Sequence, residues 1–301
     1  MKRWWIYQCE RFPLVAHGPL ILAFSASAVS YSALLRGPGE SRPALISFVV
    51  AFIVSLGSFL LLRIADEFKD KEEDAKYRPY RPVPRGLVRL SELAWIGIGV
   101  GIAQLILALQ IGWPLVGLLT VTWIYFALMS REFFVREWLK KRPVIYLFSH
   151  MAIMPLVDWF ATGCDWVHAD GQMPQGLFWF LAASFFNGIV IELGRKIRAP
   201  NDEERGVETY SFLWGRRIAV LSWLSAMAAT LACAGIAAQR IAFTLPLLST
   251  LGACWVAAAA LGFLFVRTPQ RKTAKGIEAL SGVWTLALYL TLGVIPLLLH
   301  P

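Results

Sequence analysis

Runs of about 20 apolar residues, the length that crosses a hydrocarbon core, recur nine times along this 301-residue chain. They fall at roughly 17–35, 44–64, 91–110, 112–130, 143–163, 176–194, 218–238, 242–266 and 276–299. Backbone that has lipid around it must satisfy its polar groups internally, so runs this long and continuous are helices. The expected fold class is therefore all-α: a polytopic membrane protein with nine transmembrane helices, forming one domain over residues 1–301. Only Gln110 to Pro114 separate the third and fourth runs, and Gly112 and Pro114 mark a tight turn there. The first run does not read as a cleaved leader. Sixteen residues that include Trp4, Trp5 and Tyr7 precede it, no small-residue cleavage site follows it, and eight similar runs come after.

Charge tests this parsing independently. Three of the lysines and arginines precede the first run, and eight, five, six and four lie in the connections after runs two, four, six and eight, 26 of the 29 in all. The opposite side receives only Arg36, Arg42 and Arg240. Such alternation is what the positive-inside rule expects, with the N-terminus cytoplasmic and the C-terminus outside. The net charge of +9 then reflects orientation and attraction to anionic membrane lipid, and needs no nucleic acid partner. An integral, multi-pass protein of a bacterial inner (plasma) membrane is the expected setting. Cys9, Cys164, Cys233 and Cys254 are widely spaced, without a paired pattern, so neither a disulfide framework nor a zinc site is read.

Three loops on the basic side differ in kind. In the loop at 63–90, Asp66, Asp70 and Asp74 recur every four residues, a drift of about 40° per step if the helix continues, so they share a face with Glu67 beside them. A row of carboxylates repels itself unless a cation occupies it. Clustered oxygens suit Mg²⁺, which takes one or two carboxylates and completes its shell with water and substrate phosphates. Arg63, Lys76, Arg78 and Arg81 stand ready to grip those phosphates. The plainer reading is a solvated loop with local ion pairs. The loop at 131–142 mixes aromatics and bases at helical spacing, as a short interfacial helix anchoring runs four and five would. The loop at 192–216 again combines carboxylates (Glu192, Asp202) with bases (Arg195, Lys196, Arg198) at the end of an even-numbered run.

Taken together, these loops resemble those of the UbiA superfamily of intramembrane prenyltransferases. That family carries Asn-Asp-x-x-Asp-x-x-x-Asp after helix two, then Arg-Pro-x-x-x-Gly, and a second aspartate-rich loop after helix six. Here the first signature reads Asp66-Glu67-x-x-Asp70-x-x-x-Asp74, followed by Arg81-Pro82-Val83-Pro84-Arg85-Gly86. The second loop ends in Gly206-x-x-Thr209, with Gly215 six residues on. The resemblance implies a UbiA-like helical bundle and Mg²⁺-dependent transfer of an isoprenoid from a prenyl diphosphate to a lipophilic acceptor. It implies metal ligation by Asp66, Glu67, Asp70, Asp74 and Asp202, with catalytic roles for the first four; the position of Glu192 at the mouth of the second loop makes it a further catalytic candidate. Diphosphate contacts fall to Arg63, Lys76, Arg78, Arg81, Arg195, Lys196 and Arg198. Two departures stand out: Asp66 and Glu67 replace Asn and Asp, and Arg198 stands where the family places the partner acid of Asp202. Transfer onto a polyprenyl phosphate, prenyl cyclisation, or a non-catalytic transporter or scaffold are the alternatives.

A departing diphosphate leaves an allylic cation that needs a dry, electron-rich cavity, and Trp123, Tyr125, Phe126, Trp159, Phe185 and Phe186 are the aromatic candidates beside a packing role. Inside the runs, His150, Asp158, Asn187 and Glu192 are costly enough to need a reason. Asp158 and Glu192 each read as either a base that takes a proton from an acceptor or interhelical glue, with the structural role favoured for Asp158 near the outer end.

Overall fold

Nine helical spans long and apolar enough to cross a membrane are present among the described residues of the computed structural model, which describes residues 2–37, 42–204 and 206–299. No strand occurs among those residues. Two helices form the start of the chain: α1 (Lys2–Arg11) and α2 (Leu14–Arg36). Then come α3 (Leu45–Lys69), α4 (Lys71–Tyr77), α5 (Leu90–Ile111) and α6 (Trp113–Ser130). The short α7 (Arg136–Lys140) precedes α8 (Pro143–Met151) and α9 (Ile153–Ala169), which together make one span. The chain closes with α10 (Leu177–Arg195), α11 (Tyr210–Arg240), α12 (Thr244–Arg267), α13 (Arg271–Tyr289) and α14 (Ile295–Leu299).

The helix ends follow from local chemistry. Gly112 takes a positive φ of 151° between α5 and α6, and Pro114 follows in the first turn of α6, where its missing N–H costs nothing. Between α8 and α9 the chain yields at Ala152, where Pro155, lacking an N–H, ends the helical ladder from Met151. Pro296 acts similarly on the last span, where Leu290–Val294 widens into a π-turn. The span over 143–163 expected from hydropathy runs on to Ala169, so part of the connection expected at 164–175 is helical. Likewise α11 begins at Tyr210 and α13 at Arg271, ahead of the apolar runs they carry, because Thr209 and Gln270 cap them.

Contacts divide the chain into two compact units, residues 1–29 with 41–172 and residues 30–40 with 173–301. In the first, α3 packs on α5 and α9, and α6 on α5 and α9. Lipid is as apolar as leucine, so association rests on close packing and on polar side chains shared between helices. Gln104 of α5 is buried and donates to Val54 O (2.9 Å) and Ser58 Oγ (3.0 Å) of α3, while Trp123 Nε1 of α6 donates to its carbonyl (3.0 Å). In the second unit, α10 packs on α11 and α13, and α12 on both α11 and α13. There Thr285 donates to Asn187 Oδ1 (3.1 Å), and Trp223 Nε1 donates to Ser281 Oγ (3.0 Å) beside Gly194. Asn187 is thus interhelical glue.

Candidate active site

The row of aspartates depends on whether the second span continues past its apolar part. It does: Asp70 N donates to Asp66 O (2.9 Å), Asp74 N to Asp70 O (2.8 Å) and Arg78 N to Asp74 O (2.9 Å), so α3 passes into α4 with one bend at Asp70. Glu72, Glu73 and Asp74 fill the first turn of α4, where carboxylates favour the helix dipole. Below this helix the chain turns back sharply, with Leu87 N bonded to Pro82 O (2.9 Å) and Gly86 at a φ of 76° that only glycine adopts freely.

The carboxylates fall into three environments. Asp66 and Asp70 are half-buried on the shared face; Asp66 meets Arg63 at 3.4 Å. Burial, then the charges of Asp66 and Asp74, push the Asp70 carboxyl above the usual aspartate range, against the pull of Lys69 and Arg78. Asp74 is buried and held by Arg81 (2.6 Å) and Arg78 (3.0 Å). Glu67 is also buried, but it is turned to the other side of α3, where Arg11 of α1 binds it. Lys76 is exposed, its ammonium over the Tyr77 ring.

Around this row the loop at 131–142 does more than anchor two spans. Its short helix α7 is present, with Trp138 exposed on it and Phe134 exposed just before it. The loop also grips the acidic helix: Lys140 and Arg136 reach Glu73 at 3.0 and 3.6 Å, and buried Glu132 binds Lys69 (3.1 Å) and Arg136 (3.2 Å). Burial opposes it, yet Lys140, with Arg136, holds the Glu73 carboxyl below its ordinary range. Lys69 further donates to Tyr146 Oη (2.5 Å), whose ring stacks on His150 at 3.8 Å. Lys69, Arg11, Glu132 and Tyr146 escaped sequence reasoning because their partners lie many residues away.

In the second loop the expected site residues are largely paired with one another. Glu192 takes both Arg195 (2.6 Å) and Lys196 (2.8 Å). Arg198 reaches Glu204 at 3.5 Å while its backbone N–H donates to Ser211 Oγ (2.8 Å), and Asp202 lies 3.7 Å from Arg271. Glu203, which sequence reasoning passed over, organises the turn: Thr209 Oγ1 donates to it at 2.6 Å and Ser211 Oγ at 2.9 Å, while Phe212 N donates to Thr209 Oγ1 (3.2 Å). The signal was there, since Thr209-x-Ser211 opens a helix and needs an acceptor for its hydroxyls.

No three His, Cys, Asp or Glu side chains among the described residues gather as a metal cage. The half-buried Asp66–Asp70 pair still fits Mg²⁺, which needs one or two carboxylates when a phosphate supplies further oxygens, and the raised Asp70 carboxyl records the uncompensated charge a cation would relieve. One to two turns deeper along α3 lies a small apolar cavity lined by Leu61, Leu62, Trp123, Phe126, Ile153 and Val157. Of the aromatic candidates, Trp123 and Phe126 line it, Trp123 with its indole fixed by Gln104; Tyr125 instead donates to Ser149 O (2.6 Å), and Phe185 packs edge-on against Phe186.

The profile of the UbiA prenyltransferase family matches residues 21–279. A digeranylgeranylglyceryl phosphate synthase of Methanopyrus kandleri is 27% identical over 212 residues, 67% of this chain and 69% of that protein. Among solved structures, the apo form of a UbiA homologue from Aeropyrum pernix K1 shares the fold with a TM-score of 0.68 at 12% identity, over 89% of this chain and 94% of its own. A structure from work on digeranylgeranylglyceryl phosphate synthase in membranes gives a TM-score of 0.65 at 15% identity and covers 99% of both chains.

Proposed function

The chain belongs to the UbiA prenyltransferase family, and from that premise we propose that it moves an isoprenoid from a prenyl diphosphate to a lipophilic acceptor, with Mg²⁺ held by Asp66 and Asp70. The observation that carries this reading is the continuous helix that keeps Asp66, Asp70 and Asp74 in register at the end of a span. Mg²⁺ would neutralise charge developing on the leaving diphosphate. Asp74 holds Arg78 and Arg81, whose guanidinium groups suit the same task. Arg63 and Lys76 flank this row and add positive charge to it. Trp123, fixed by Gln104, and Phe126 line the small apolar cavity one to two turns toward the membrane along α3, which would have to widen to take the isoprenoid chain, and their rings are the candidates to meet an allylic cation there. The second loop carries phosphate-binding charge of its own in Arg195, Lys196 and Arg198, held at rest by Glu192 and Glu204. Glu192 is the candidate base there, and it would have to give up its pairing with Arg195 and Lys196 to take a proton.

The similarity to a digeranylgeranylglyceryl phosphate synthase favours one refinement: an acceptor that is itself a lipid alcohol bearing a phosphate. The test is a titration of Mg²⁺-dependent binding of a prenyl thiodiphosphate to wild-type, Asp66→Asn and Asp70→Asn protein. Loss of a metal ligand should weaken binding at least about tenfold in each variant. Equal affinity in all three, with chelator harmless to wild type, would sink the metal-dependent reading.

A further inference from the structure

Resting on that metal reading, we propose that α1 is a working wall of the first loop and that Arg11 is a positioning residue: it holds Glu67 out of the metal set, as a built-in cation where the family's signature places a metal-bound carboxylate. Glu67 follows Asp66 by one residue and so lies about 100° further round the helix, whereas Asp70 comes back nearly beneath Asp66. The single step turns Glu67 toward α1. There Arg11 Nε binds Glu67 Oε1, with side-chain exposures of only 8% and 1%. Breaking a buried pair by removing one partner strands the other charge, so this pair is fixed in place as long as both residues are present.

The surroundings are donor-rich. Arg11 Nη2 and the Tyr7 hydroxyl are both buried without a hydrogen-bond partner among the described residues, and the Tyr7 hydroxyl is kept protonated by burial and by Glu67. The Glu67 carboxylate thus has one donor bonded to it and further buried donors nearby, which favours its staying with Arg11 over turning to a metal. The helix that brings Arg11 is itself clamped. Tyr7 is buried against Ile64, Val88 and Leu93, with Trp4 beside it. Arg3 binds Glu92 (2.8 Å) and Glu10 binds Arg85 (2.9 Å). These contacts fall on either side of the turn that follows Arg81, so α1 fixes that turn and Glu67 together.

The experiment is a manganous-ion titration followed by electron paramagnetic resonance, in the presence of inorganic diphosphate, on purified full-length protein. Wild-type protein that binds no Mn²⁺ in competition with Mg²⁺ would defeat the underlying metal reading, whatever Arg11 does. Given that binding, Glu67→Gln should change Mn²⁺ affinity less than about twofold. Arg11→Gln should tighten it about tenfold, the size of one charge-assisted contact, because Glu67 then turns to the metal. In the Arg11→Gln/Glu67→Gln double variant the gain should vanish, and Arg11→Lys, which keeps the charge and the clamp, should behave as wild type. Tenfold weaker binding in Glu67→Gln would overturn the proposal by making Glu67 a ligand already. A gain that persists in the double variant, or no gain in Arg11→Gln, would overturn it by reducing Arg11 to a distant charge or a structural tie.

Discussion

Asp70 sits where its own charge is unwelcome, half-buried between two other aspartates, and the raised carboxyl gives that cost a pH signature. A carboxyl raised in the folded state contributes stability that is full below the ordinary aspartate value of about 3.9 and is lost as pH rises through the folded value. Metal-free Asp70→Asn protein should therefore melt higher than wild type at neutral pH, with the gap closing as pH falls below about 4. Thermal melts in chelator at several pH values check this, and added Mg²⁺ should stabilise wild type more than the variant. A variant less stable than wild type at neutral pH would show that Asp70 is a structural residue. The aspartate register was legible because it depends only on 3.6 residues per turn. The partners of Glu67 and Lys69 were not, since Arg11 and Glu132 lie 56 and 63 positions away and only the packing of α1 and the loop at 131–142 brings them near. The same holds for Asp202, whose neighbour Arg271 belongs to another helix.

At the scale of the helix, hydropathy located each span but misjudged ends wherever polar residues continue the helix beyond the apolar run, as at Ala65 to Lys69 and Tyr210 to Arg217. Close approaches were hidden altogether. Gly194 of α10 faces Ser281 of α13 so tightly that an added Cβ would lie 2.1 Å from Ser281 Oγ and 2.9 Å from its Cβ. That serine also receives the Trp223 indole N–H, so one methyl group would disturb three helices at once. Gly194→Ala should cost about 1–3 kcal/mol, typical of overpacking, and Ser281→Ala should recover part of it by removing the nearest atom. Unfolding in mixed detergent of both single variants and the double measures the coupling. Because Gly194 is followed directly by Arg195, we expect the alanine variant also to disturb the Glu192 pairings more than a distant core change of equal cost. A distant control, Gly99→Ala, where an added Cβ meets nothing, should leave stability nearly unchanged.

For the whole molecule, the sequence feature with the longest reach is the placing of 26 of 29 basic residues on alternate connections. The structure bears out the count of spans among the described residues. Much of the positive charge turns out to have local employment as well: Arg136 and Lys140 hold Glu73, Arg78 and Arg81 hold Asp74, and Arg3 holds Glu92. Orientation and site chemistry therefore draw on the same residues in the three longer basic connections, while the one after α12 is only a short turn. If the 26 bases face the cytoplasm, so do α1, the turn before α5 and the second loop, while the connection after α9 faces away. Cys9 is exposed and serves as a natural reporter on α1; Cys164 and Cys233 are buried, and with Cys254 can be replaced to clear the background. In that background, single cysteines at Ser91, Gly206 and Gly171, all exposed, complete the set. A membrane-impermeant maleimide applied to intact cells should label Gly171→Cys alone. Applied to inverted vesicles, it should label Cys9, Ser91→Cys and Gly206→Cys and spare Gly171→Cys. Labelling of Ser91→Cys and Gly206→Cys from opposite sides would mean that one of the four helical spans between them does not cross. The reverse pattern at every site would put the carboxylate row of α3 and α4 on the face away from the cytoplasm, where soluble prenyl diphosphate is not made, and so would count against the donor proposed above.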